Sequence, residues 1–443
     1  MNKLVHSRGA RLEALLSAPH SIVLGAFIVR IAYLGFAIGT RSPWLQPELH
    51  GFETVQIATS LATGKGFSSP LAVSSGPTAW LTPIFPYLLA GVFKVFGVAT
   101  LGAEIAIKLL DCAFSSLVCA VLVAIGRRFS LPTVGILSAW FWAFLPMSAV
   151  VATFWVWDTS LSALCLTFLL WMTYKMSDCD NSAGWAGFGA CWAFAALTNP
   201  ALLAALPGLA GFSALTLRQK GGRAVRNGAI ALLTFLACMS PWIIRNEIVF
   251  KGKVALRSNF ALELWLGNNP QVADLWAPWL HPANDPKELK KFLQQGEVAY
   301  MHEKSALALQ FIRTHPAETF QYSYLRFMTN WTGGDNYLND LTTSLPLKFR
   351  INMLLNSALS LLAFAGIWLL YRTYRAAAFP FVWILLFYPL VYYITHPSPR
   401  YRSPIDPCLA FLAVYAVRRA AQRLWARDTD LFIAPATIEK ARA

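Results

Sequence analysis

Carboxylates and an imidazole crowd one early stretch of the chain: Glu48, His50 and Glu53 fall within six positions. A glycine-bounded run, Gly64–Lys65–Gly66–Phe67–Ser68–Ser69–Pro70, follows them. A carboxylate that faces a cleft can serve as a general base, taking the proton of an acceptor hydroxyl as that oxygen attacks an electrophile. Solvated loop acids with no chemical task are the competing reading. His50–x–x–Glu53 is not a metal-protease motif. The seven cysteines show neither CxxC nor Cys/His spacing, so no metal site, disulfide framework or cofactor is expected.

Cations form a second group near the other end, in His396–Pro–Ser–Pro–Arg–Tyr–Arg–Ser–Pro–Ile–Asp406. Guanidinium groups bind phosphate oxygens through paired hydrogen bonds, so Arg400 and Arg402, with Tyr401 between them, are candidates to hold an anionic phosphate. Pairing with Asp406 or with lipid headgroups is the alternative. Arg245, in Pro241–Trp–Ile–Ile–Arg–Asn246, is a weaker candidate of the same kind. Arg30 sits within an apolar block, where an unpaired charge costs about 2.5–3.5 kcal/mol.

The composition says what scaffold must bring these groups together. Hydrophobic residues make up 56% of 443 positions and charged residues 13%, against about 25% charged in soluble domains. The mean hydropathy is +0.48. Apolar residues come in blocks of the length that spans a hydrocarbon core about 30 Å thick as helix. The alternation of a barrel strand is missing, and lipid leaves helices or closed barrels as the choices. The fold class is therefore an all-α polytopic membrane protein. About ten spans are expected, at 21–39, 101–125, 132–151, 158–174, 184–198, 200–217, 228–246, 351–371, 378–395 and 404–420.

The net charge of +15 belongs to connectors rather than to a nucleic-acid surface. Arg127 and Arg128, Lys175, Arg218 to Arg226, Arg372 and Arg375, and Arg418 to Arg427 fall on one side of the spans. The turns at 152–157 and at Asn199–Pro200 carry no Lys or Arg. By the positive-inside rule both termini are expected in the cytoplasm, the chain being multi-pass in the plasma membrane. Arg400 and Arg402 then sit in an external turn that the rule would leave uncharged. Three regions follow: 1–246, an N-terminal transmembrane bundle with a first external loop at 40–100; 247–350, a second external segment; and 351–443, C-terminal helices with a cytoplasmic tail.

Both external segments carry pattern. Phe52, Val55, Ala58, Leu61 and Ala62 share one face at helical spacing, which predicts a surface helix over Gly51–Thr63 stopped by Gly64. Pro77 to Gly97 reads as interfacial, because a crossing there would undo the charge segregation. A polar helix is expected over Lys287–Thr314. Inside the spans, Lys108 and Asp111 have the spacing of an i to i+3 ion pair, and Asp158 that of a helix cap.

The order of these features resembles a family. One span, an external loop with an early acid, a surface helix, Gly64–x–Gly66–Phe67, Pro83–x–x–Pro86–Tyr87 and Phe93–Lys94–x–Phe96–Gly97 are similar to the GT-C glycosyltransferases. The likeness is to the bacterial branch of protein mannosyltransferases, aminoarabinose transferases and lipopolysaccharide galacturonosyltransferase-like proteins. Leu197–Thr–Asn–Pro200 and Arg400–Tyr–Arg–x–Pro404 look like that branch too. The resemblance implies a membrane enzyme of the cell envelope that transfers a hexosyl or pentosyl group from a polyprenyl-phosphate donor, on the external face and with inversion. It implies a carboxylate base in the first external loop, matched by Glu53 and then Glu48. Arg400, Arg402 and Tyr401, with Arg245 or Lys65, would hold the lipid phosphate. A divalent cation stays open. The acceptor would be a lipid, a glycan or a protein. A transporter or flippase of a lipid-linked sugar, and a non-catalytic membrane scaffold, are the alternatives.

Overall fold

The structure is a computed structural model that describes residues 16–40, 52–251, 254–273, 275–334 and 347–428. Glu48 and His50 lie outside these residues. In chain order the helices are α1 (Pro19–Thr40), α2 (Phe52–Ala62), α3 (Ile84–Phe96), α4 (Leu101–Arg128), α5 (Pro132–Phe144), α6 (Pro146–Phe154), α7 (Thr159–Met176), α8 (Ser182–Thr198), α9 (Leu206–Gln219) and α10 (Ala224–Phe250). Then follow α11 (Phe260–Gly267), α12 (Pro286–Gln295), α13 (Glu297–Thr314), α14 (Pro316–Thr332), α15 (Leu347–Thr373), α16 (Arg375–Phe387), α17 (Leu390–Ile394), α18 (Pro399–Arg402) and α19 (Asp406–Asp428). Among the described residues the one β feature is an isolated bridge between Ser68 and Pro77.

This is the architecture of a polytopic membrane protein. Six helical stretches among the described residues are long and apolar enough to cross a bilayer: Pro19–Ile38, Leu101–Arg128, Pro200–Gln219, Ala224–Phe250, Arg350–Thr373 and Arg375–Ile394. The pair α5 and α6, bent by 51°, would make a seventh. The other expected spans, 158–174, 184–198 and 404–420, fall on α7, α8 and α19, of 18, 17 and 23 residues.

The bend explains Arg30. Pro146 has no N–H to give the carbonyl of Trp142, so the helix stops there. Arg30, fully buried on α1, takes up the freed carbonyls. Its Nη1 donates to Ala143 O at 3.3 Å and its Nη2 to Trp142 O at 3.4 Å. Ser115 Oγ and Ser148 Oγ accept further bonds at 2.9 and 3.1 Å. Arg30 is thus a joint between helices. Its replacement by Leu strands Ala143 O, and each stranded buried polar group costs about 1–3 kcal/mol. Thermal unfolding in detergent should register the loss for Arg30→Leu. An unchanged midpoint would contradict the role.

Close packing holds the bundle. The contacts of α8 with α10 and of α15 with α19 are the most extensive, and both need a glycine. A methyl group at Gly189 would run into the carbonyl of Ala231, and one at Gly366 into that of Leu412. Small residues at such crossings let membrane helices approach closely. All seven cysteines are free. Lys108 and Asp111 do not form the expected tight pair. With Glu104 they are buried on α4, where Lys108 Nζ and both Asp111 oxygens hydrogen-bond no protein group.

The two long segments gather at one end of the bundle. Ala58 of α2 and Phe85, Leu89 and Phe93 of α3 pack with Ile107 and Leu161, near the starts of α4 and α7. From the second segment, α11 and α13 pack with Phe67 and Trp80 against the last turn of α8 at Leu197 and the second half of α10 at Trp242. Glu297 ties the two layers: its carboxylate accepts from Ala79 N–H at 2.8 Å, from Ser258 Oγ at 2.7 Å and from Thr78 Oγ1. Burial pushes this carboxyl above its usual range, and those three donors pull it partly back. The helix expected over 51–63 forms as α2, with its described side chains buried or half-buried, and the chain turns at Gly64, whose φ is +80°. The expected helix over 287–314 is instead two, α12 and α13, because Gly296 breaks it with φ +75°.

Candidate functional site

At this end of the bundle lies a cavity of about 580 Å³. Glu53 from the early acidic helix and Arg400 and Tyr401 from the late turn all line it. Glu53 stands in the first turn of α2, where a negative charge meets the positive end of the helix dipole. Its Oε1 is 3.4 Å from His281 Nε2, and both side chains are 12% exposed.

The opposing groups come from a rigid turn. Pro397 and Pro399 flank Ser398 and lead into the four-residue helix α18. The Arg400 guanidinium lies 3.6 Å above the Trp157 ring, and its Nη2 donates to Tyr401 Oη at 3.3 Å. A planar cation stacked on indole keeps its edge donors free for an anion. The Tyr401 ring stacks on Tyr392 at 4.4 Å. Burial pushes the Tyr401 hydroxyl above its usual range, so it stays a donor.

The remaining sequence candidates are placed elsewhere. Arg402 is 4% exposed and does not line the cavity; its Nε donates to Asp406 Oδ1 at 2.8 Å and its Nη1 to Trp331 O at 3.1 Å. Residues two apart on a helical turn project to different sides, so the two arginines of one turn serve different surroundings. Arg245 donates to Thr78 O at 2.7 Å and Phe67 O at 3.0 Å and stacks against Trp242, bracing the first segment. Lys65 is exposed, in the turn that closes α2. Asp158 caps no backbone N–H; it accepts from Ser162 Oγ at 3.2 Å and lines the cavity.

Four further cavity residues carry no local sequence signal that singles them out: Arg257, Glu263, His281 and His396. Glu263 Oε2 is 2.7 Å from His396 Nε2, and the imidazole stacks on Trp276 at 4.3 Å. Burial alone would push the Glu263 carboxyl up, but His396, with His281 and Arg257 near, outweighs it and holds it at about 2. A carboxyl held low stabilises the fold above the ordinary carboxylate range and loses that contribution as pH falls through about 2. Among the described residues no group of three His, Cys, Asp or Glu converges to hold a metal ion. The cavity is thus lined by a carboxylate with a neighbouring imidazole and by a stacked guanidinium with a phenol. These groups can accept a proton and stabilise an anion within one cavity.

Solved structures share this arrangement of helices. The oligosaccharyltransferase of Archaeoglobus fulgidus in its apo form superposes with a TM-score of 0.52 at 10% identity, over 93% of this chain and 51% of that one. The same protein in complex with zinc and sulfate gives 0.51 at 11% identity, over 92% and 50%. The fold is the one these archaeal structures share over nearly all of the chain. ArnT from Cupriavidus metallidurans in the apo state matches at a TM-score of 0.37 and 13% identity, over 88% of this chain and 78% of that one. The present chain spans about half the length of the archaeal oligosaccharyltransferase it matches. No family model and no curated protein sequence matches it.

Proposed function

We propose that the chain is a membrane glycosyltransferase that moves a sugar from a polyprenyl-phosphate donor to an acceptor hydroxyl on the external face, with inversion. Ten crossings of the plasma membrane, with both termini in the cytoplasm, would put the cavity outside. The observation that carries the reading is that Glu53 and the Arg400–Tyr401 pair line one cavity within a GT-C fold.

Glu53 takes the acceptor proton as the acceptor oxygen bonds to the anomeric carbon. The bond from that carbon to the phosphate oxygen breaks, and its electrons leave with the lipid phosphate. Negative charge grows on the departing oxygen, where Arg400 and the Tyr401 hydroxyl stabilise it without having to reorganise. Attack and departure on opposite sides of the carbon give inversion. Glu48 stays a second candidate base. Arg402 and Arg245, engaged by Asp406 and by backbone carbonyls, support the walls rather than the phosphate.

Glu53→Gln in the purified full chain tests this. Sugar transfer should be lost while a polyprenyl-phosphate sugar still binds. A flippase or a silent scaffold would hardly respond to the change, and unaltered lipid-sugar movement in the variant would move the reading to one of those.

A further inference from the structure

The Glu263–His396 contact joins the second external segment to the late arginine turn across 133 positions of sequence. Both nitrogens of the imidazole face acceptors: Nε2 meets the Glu263 carboxylate at 2.7 Å, and Nδ1 meets the carbonyl oxygen of Pro397 at 3.3 Å. A neutral imidazole has one donor. Satisfying both contacts needs the imidazolium. The ring is 5% exposed, clamped flat against Trp276, and its Nε2 is also 3.5 Å from Tyr401 Oη, the atom that accepts from Arg400. The anchoring backbone is tight as well. Asn268 Nδ2 donates to Ile394 O at 2.7 Å, and Gly267 lies so close to Thr395 that a methyl group there would overlap its carbonyl.

We infer that Glu263 and His396 are positioning residues that make donor binding proton-linked, holding the Arg400–Tyr401 clamp and masking the Glu263 charge only while His396 is protonated. The inference rests on the phosphate reading of Arg400 given above. The charged and titratable groups that share the cavity with His396 are Glu263, Arg257 and His281 from the second segment, Tyr388, Tyr392 from α17, Arg400 and Tyr401 from α18, Asp158, and Glu53 from α2; His281 and Arg257 act on Glu263 as well, and Arg400 on Asp158. With the proton in place, the carboxylate and imidazolium cancel, and the arginines set the sign of that wall. Without it, a bare carboxylate shares the cavity with an incoming phosphate and repels it. Among side chains, imidazole is the one whose unperturbed charge changes near neutral pH, which sets the pH range of the test.

The test uses the full chain in lipid nanodiscs and a polyprenyl phosphodiester as probe, which keeps a single charge from pH 5 to 9. The wild type should bind it about tenfold more weakly at pH 8.5 than at pH 6, the size expected when one opposing charge is uncovered at close range. Glu263→Gln should flatten the curve and keep affinity at high pH, since no carboxylate is left to uncover. His396→Gln should bind weakly at both pH values, and His396→Arg should restore tight binding without pH dependence. A purely architectural pair would lose affinity in both Gln variants alike and at every pH. A flat wild-type curve, or a slope that survives in Glu263→Gln, overturns the proton linkage. Arg400→Gln in the same assay separates the two levels. If it leaves affinity untouched, the phosphate clamp itself is wrong; if it weakens binding while the wild type stays flat, the linkage alone falls.

Discussion

Glu53→Gln is expected to cut sugar transfer by about 10²–10⁴-fold, the range a positioned general base contributes. Donor affinity should change little, because the phosphate is held by Arg400 and Tyr401 rather than by Glu53 and the replacement is nearly isosteric. Glutamine keeps the contact with His281 but has no basic oxygen to receive the acceptor proton. Transfer and binding must therefore be measured separately, with a labelled polyprenyl-phosphate sugar in detergent or nanodiscs. Loss of binding in step with transfer would mean that Glu53 shapes the cavity instead of taking a proton. Undiminished transfer would move the base to another carboxylate, with Glu48, Asp158 and Glu263 the ones to examine.

Arg400→Gln is the second large effect. Removing one preorganised donor from a developing anion costs about 10²–10³ in rate. Unlike the base, this residue also meets the phosphate in the ground state, so KM for the donor should rise together with the fall in kcat. Arg400→Lys should recover only part of the loss, because an ammonium has neither the planar fork nor the stack on Trp157. Arg402→Gln is the matched contrast. Arg402 is buried against Asp406, and breaking such a pair leaves an uncompensated charge worth about 3–5 kcal/mol. Its thermal midpoint should drop sharply while the folded fraction keeps the wild-type KM. Equal effects of the two substitutions on KM would contradict the assignment of Arg402 to the wall.

How much of this was legible in the residues follows from range. The membrane class needs only local composition, and helix α2 needs only the spacing of Val55, Ala58 and Leu61 with Gly64 after it. Arg400 stood out as a charge in a turn that the positive-inside rule would leave uncharged, and Glu53 as one of three titratable groups within six positions, matched to a base by the family resemblance. Pro146 announces a break in its helix, but that Arg30 would bond the freed carbonyls depends on how α1 packs, 112 positions away. Glu263 and His396 stayed hidden for the same reason: an ion pair between distant segments leaves no period and no spacing. Arg402 was grouped with Arg400 because adjacency along a turn resembles a cluster, whereas the helical turn sends the two side chains to opposite sides. A single glycine in a polar stretch does not announce its φ, yet the positive φ of Gly296 divides the helix.

The central claim is that the early carboxylate and the late arginine face one another across the chamber that receives the lipid phosphate. A cryo-electron microscopy map of the full chain with a bound polyprenyl phosphate tests it most directly. The account predicts phosphate density within hydrogen-bonding reach of Arg400 and Tyr401, with the Glu53 carboxylate across the same cavity. Phosphate density against a different surface, with Glu53 and Arg400 in separate surroundings, would contradict it.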